Sequence, residues 1–155
     1  MTTHSEHMQS EIEAYRLSGE PWPATAQQLA TWALNKGRWI PHIDSLVRQC
    51  ADDFARAMRE EYIVDPQGRT VRAKHAARLE GEQGIFWTDI RDDNADYMKI
   101  ALSQRRQQIV GDCRQLKSDL DSFNENWNGT KTLQLCFDFT DDLAEFAAGA
   151  VPVTS

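Results

Sequence analysis

The residues of this chain able to do chemistry are four histidines, three cysteines and a few paired acids, and their spacing matches no catalytic pattern. His4, His7, His42 and His75 fall in neither H-x-x-x-H nor H-E-x-x-H, and there is no glycine-rich phosphate loop or G-x-S-x-G elbow. Cys50, Cys113 and Cys136 are odd in number, far apart and free of any C-x-x-C pair, which argues against a zinc site and a disulfide framework. They read as small buried thiols in a reducing compartment, Cys50 and Cys113 on apolar helical faces. The acids of "RDD" (91–93) and "TDD" (140–142) are pairs of a kind that usually caps helix starts. No enzymatic activity, cofactor, metal or small-molecule substrate is therefore expected. Trp22, Trp32, Trp39, Trp87 and Trp127 read as core anchors.

What remains is a basic hairpin. In "YIVDPQGRTVRAKHAAR" (62–78), Asp-Pro-Gln-Gly turn chemistry separates two short runs rich in β-branched residues, and Arg69, Arg72, Lys74 and Arg78 follow with no acid among them. The net charge of −7 is unevenly spread: residues 1–20 carry −3, residues 21–80 carry +2 and residues 81–155 carry −6. Overall acidity thus leaves room for a local positive patch, because attraction follows the potential within roughly 10 Å at 0.1 M salt. The bland alternative is that the hairpin pairs with its own acids, since Glu60, Glu61 and Glu80 flank it.

The elements that must position these residues are mostly helical. Apolar spacing predicts a short helix over 5–17, stopped by Gly19 and Pro21, and a second from the Thr25 cap, with Gln28 three residues on and Gly37 past its end. "HIDSLVRQCADDFARAMREEY" (42–62) spaces Ile43, Leu46, Val47, Cys50, Phe54, Ala57 and Met58 as one helical face, with Arg48, Asp52, Arg56 and Arg59 on the other. A return strand is expected to end near His75, followed by a turn or loop. One long helix is expected from about Thr88 to Trp127, where Ile109, Cys113, Leu116, Leu120, Phe123 and Trp127 recur at spacings of 4, 3, 4, 3 and 4. "LQLCFDF" (133–139) alternates as a half-buried strand, and Thr140 would cap a last short helix before a frayed tail.

Helix, turn, longer amphipathic helix and basic hairpin follow one another over 25–76, and this stretch resembles the winged-helix DNA-binding superfamily. The resemblance implies a mainly α (α+β) protein: an N-terminal segment (1–20), a winged-helix-like domain (21–80), then a long helix, short strand and C-terminal helix (81–155). It implies that Arg48, Arg56 and Arg59 face a groove of double-stranded DNA while Arg69, Arg72 and Lys74 meet phosphates, in a regulator that pairs as a homodimer through the 109–127 seam. Asp44, Asp52, Asp53, Glu60 and Glu61 along the second helix oppose phosphate binding. "REEYIVDPQGRTVRAKHAAR" also resembles a stretch of short bacterial proteins, which implies no activity. The rival expectation is a non-enzymatic protein–protein adaptor that docks a partner on the long helix. The seam itself reads equally as packing against the chain's own core. No apolar run approaches the ~20 residues of a bilayer span, and the first twenty residues lack a signal-peptide core, so a cytoplasmic protein without a membrane partner is expected.

Overall fold

The computed structural model describes residues 2–127 and 129–149. The chain forms two compact units, residues 1–53 and 54–155.

In the first unit, α1 (His4–Leu17) and α2 (Ala26–Asn35) each open with a complete capping box, Thr3 with Glu6 and Thr25 with Gln28. Each pair satisfies two backbone donors reciprocally, at 3.1 and 2.7 Å in α1 and at 3.1 and 2.8 Å in α2. The helices meet at Tyr15, which is 2% exposed. Its ring lies edge-on to Trp32 with centroids 5.4 Å apart, and its hydroxyl donates to the Pro21 carbonyl at 2.9 Å. Gly37, at φ +66°, ends α2 as expected. Two tryptophans depart from a core-anchor role: Trp22 is half-exposed and Trp127 is 70% exposed, while Trp39 and Trp87 are half-buried.

α3 (Ile43–Arg59) departs from expectation more strongly, because none of its residues is buried. Ile43, Leu46, Val47 and Phe54 on its apolar face are all more than half exposed.

In the second unit, β1 (Tyr62–Val64) pairs antiparallel with β2 (Thr70–Arg72), Ile63 opposite Val71. The turn between them is the predicted one. Gly68 takes φ +84°, and one Asp65 carboxylate oxygen accepts from the Gln67 and Arg69 backbone at 3.0 and 2.8 Å. The strand then changes partner. Past Ala73, β3 (Lys74–Ala77) pairs antiparallel with β4 (Phe86–Asp89), where only a turn or loop was expected. β4 and a 3-10 turn (Ile90–Asp92) occupy the ground assigned to the start of the long helix, so α4 begins later, at Ala95, and runs to Asn126. Asp89 caps the 3-10 turn and Asn94 caps α4, which supplies the local reason for the delay.

α4 packs on β3. Ala73, His75, Ala77 and Ala101 are the buried residues here, and the small alanines allow close approach. Polar bonds then fix the contact: Gln104 accepts from the Arg78 N–H and donates to its carbonyl, both at 2.8 Å, and the Tyr97 hydroxyl donates to the Phe86 carbonyl. Burial raises the Tyr97 pKa above its ordinary value.

The predicted strand at 133–139 does not form; the segment has no ladder partner among the described residues. Asn124 holds it instead, exchanging two 2.9 Å bonds with the Leu133 backbone. Period-two alternation marks an extended chain but cannot supply a neighbouring strand. α5 (Thr140–Gly149) follows, with Asp138 rather than Thr140 accepting from the first-turn N–H at 3.0 Å. The expected frayed tail lies mostly outside the described residues. The thiols are not buried either, with Cys50 and Cys136 exposed and Cys113 half-buried.

Replacing Ala101 by Leu should force the α4–β3 contact apart and destabilise the protein by about 1–3 kcal/mol. Leu at the exposed Ser103 should change stability by less than about 0.5 kcal/mol. Urea unfolding followed by circular dichroism measures both.

Candidate functional site

Three cations were expected to make the hairpin a phosphate-facing surface, and two of them are neutralised in place. Arg69 folds back on the turn, its Nε 2.7 Å from the second Asp65 carboxylate oxygen and its guanidinium 3.3 Å from the Gln67 side chain. The Arg69 backbone N–H, then its guanidinium, hold the Asp65 carboxyl below the ordinary range. Lys74, only 27% exposed, places Nζ 2.9 Å from Glu61 and 2.9 Å from Asp89. Arg91 completes the knot with a bidentate grip on Asp89 at 2.8 and 2.6 Å. Arg91 and Lys74 together drive the Asp89 carboxyl far below its ordinary pKa, and Asp89 raises that of Arg91. Arg72 remains partly exposed; its carbonyl sits 2.9 Å from the buried His75 Nε2. The self-pairing foreseen for the hairpin involves Glu61, but also Asp65 and Asp89. Asp89 could not be assigned beforehand, because it comes from the strand that sequence reasoning missed.

Arg48, Arg56 and Arg59 are different. All three are exposed and lie on the α3 face opposite Ile43, Val47, Cys50 and Phe54, with Asp52 between them. None has an acidic partner within ion-pair distance among the described residues.

The long-helix seam is open. Leu102, Ile109, Leu116 and Phe123 stand seven residues apart on α4 and are 40–53% exposed, while Cys113 and Leu120 beside them are half-buried. Leu102 extends the expected seam by one heptad towards the N-terminus. Sequence spacing carried that signal, since Leu102 precedes Ile109 by one full repeat.

Among the described residues no three His, Cys, Asp or Glu side chains are grouped to hold a metal, and no described helix is long and apolar enough to cross a membrane. Sequence reasoning also missed a cleft in the first unit, onto which His4, His7, His42 and Arg48 open. These residues come from two distant stretches of the chain, 4–7 and 42–48, and share no motif. Set against protein-family models, curated proteins and solved structures, the chain matches none of them.

The Lys74–Asp89–Arg91 knot generates a pH prediction. A carboxyl depressed in the folded state contributes stability that is present above its unfolded pKa, about 4, and lost as pH falls through the folded value. Asp89→Asn should therefore lower the thermal midpoint at neutral pH, and the gap from the parent should narrow as the pH falls below about 4. Melts followed by circular dichroism across that range would show it; a constant gap would mean that the charge of Asp89 does not matter.

Proposed function

We propose that this chain is a non-enzymatic protein–protein interaction module that pairs with a second copy of itself through α4. The observation that carries this reading is the bare row Leu102, Ile109, Leu116 and Phe123, at heptad spacing on a helix of 32 residues. Apolar side chains repeated every seven residues form the seam of a two-stranded coiled coil, where each knob fills a hole on the facing helix. Left in water, a contiguous row of this kind is unfavourable and marks a surface for association.

The charge on the seam favours an antiparallel mate. Arg106 lies in the same row as Cys113, Leu120 and Trp127, seven residues apart in turn. A parallel pair in register would set Arg106 against the partner's Arg106, a like-charge contact in the seam. An antiparallel pair centred between residues 114 and 115 sets Arg106 against the partner's Phe123, Cys113 against the partner's Leu116, and Leu120 against the partner's Ile109. The guanidinium then meets an aromatic ring.

Leu116→Asp should convert a dimer into a folded monomer, because an unpaired carboxylate in a desolvated seam costs several kcal/mol. Sedimentation equilibrium beside circular dichroism reads both properties. Loss of helical signal in the variant would make the row intramolecular core, and a parent that sediments as a monomer at tens of micromolar would sink the pairing.

A second reading is supported by Arg48, Arg56 and Arg59, which carry no acidic partner among the described residues. In it, the chain is a winged-helix-like DNA-binding regulator, Arg56 and Arg59 of α3 meeting duplex DNA and the β1–β2 hairpin contributing chiefly Arg72. Arg56→Glu with Arg59→Glu should weaken duplex binding for all sequences alike and flatten its salt dependence, the slope falling by about 0.9 for each phosphate no longer neutralised. Fluorescence anisotropy over a salt series tests this, and no binding by the parent at low salt removes the reading.

A further inference from the structure

We propose that the cleft in the first unit is a proton-linked site for a tetrahedral oxyanion, the phosphate or sulfate group of a small solute. The cleft has a volume of about 510 Å³ and draws its walls from three places. His4 and His7 come from the first turns of α1, His42 from the loop after α2, and Asp44 and Arg48 from the start of α3. Arg38 lines it as well.

The balance of charge decides what such a cleft attracts. The Arg38 guanidinium is taken by Glu11 through two contacts, and Arg38 holds the Glu11 carboxyl below its ordinary range. Arg38 also lies over the Trp32 ring at 5.4 Å, which fixes it in place. Asp44 offsets Arg48 in formal charge. With neutral imidazoles the walls are therefore close to neutral, and with charged imidazoles they carry three further positive charges. Each imidazole has a ring N–H to donate, and none of the three makes a side-chain hydrogen bond or ion pair among the described residues. A doubly charged oxyanion among them would favour the imidazolium forms, so binding must take up protons. The same histidines are poor candidates for a metal: two arginines stand beside them, and the described residues include no metal-ready cluster. Acidic groups near the imidazoles include Asp44, which lines the cleft, Glu11, within electrostatic reach of His7, and Glu6, which lies between His4 and His7 in α1 and accepts from the Thr3 N–H.

Sulfate is the clean probe, because its charge does not change where imidazole titrates. Titrated into the full chain, it should shift the ring C–H resonances of His4, His7 and His42 but not that of buried His75. Its affinity should rise several-fold as pH is lowered from about 7.5 to 5.5, with heats that depend on the ionisation enthalpy of the buffer. The double variant His7→Gln with His42→Gln, both exposed positions, should keep its circular dichroism spectrum and bind about tenfold more weakly or worse. Affinity independent of pH, or unchanged in the double variant, would overturn the site, as would ring resonances that do not move. Displacement of sulfate by glycerol phosphate supports a small phosphate ester as the ligand. Displacement by duplex DNA alone would refute the small solute and assign the cleft to a nucleic-acid backbone.

Discussion

The second unit depends on one residue with no exposed surface. Ala73 donates its N–H to the Glu61 carbonyl at 2.9 Å and accepts at its own carbonyl from the Ile90 N–H at 2.8 Å, so it is bonded to both hairpins. The strand running through it serves β1 on one side of this junction and β4 on the other. Lys74, next in sequence, repeats the same connection with its side chain, joining Glu61 to Asp89. Neither two-stranded ribbon is long enough to persist alone in water. Joined at Ala73, with β3 packed against α4, they belong to one compact unit.

That arrangement changes the meaning of the positive charge. A surface lysine or arginine in an exposed pair contributes little to stability, but Lys74 and Arg91 converge on one carboxylate and fix the ends of three elements. Part of the charge that reads as a ligand-facing patch along the chain, that of Arg69 and Lys74, is paired within the fold in three dimensions. The arginines of α3 and the imidazoles of the first-unit cleft are not engaged in this way and are, with Arg72, among the polar groups left for partners or ligands.

The apolar residues divide similarly. Alanines make up most of what is buried, whereas large side chains on α3 and α4 stay in contact with water. A helix draws most of its stability from the packing of its apolar face, and α3 and α4 leave much of that face unpacked among the described residues. On α4 the exposed row keeps heptad spacing, which is what the proposed pairing rests on. On α3 the apolar face is equally open, Ile43 at 78% exposure, but no comparable repeat says what it meets.

The start of α2 and the turn of the first hairpin were legible because the chemistry that makes them is local. Thr25 with Gln28 is a capping pair within three residues of the N–H it satisfies, and the Asp-Pro-Gln-Gly turn closes through its own side chain and glycine. Asn94, the cap of α4, lies past the start expected near Thr88. The 3.6-residue period located α1, α2, α3 and most of α4 for the same reason, since a helix makes its hydrogen bonds within itself. Strands do not. Whether residues 86–89 or 133–139 join a ladder depends on another segment arriving beside them: 86–89, expected as loop and helix start, found β3, while 133–139, expected as a strand from its alternation, met the Asn124 side chain. The same limit governs the candidate sites. Amino-acid order alone determined which residues are charged, which face of each helix they occupy and the heptad on α4. Tertiary structure decided that Lys74 and Arg69 are already paired, that Trp22, Trp127 and the cysteines are not core, and that His4, His7 and His42 share a cleft, because each of these depends on distances between segments that no local spacing encodes.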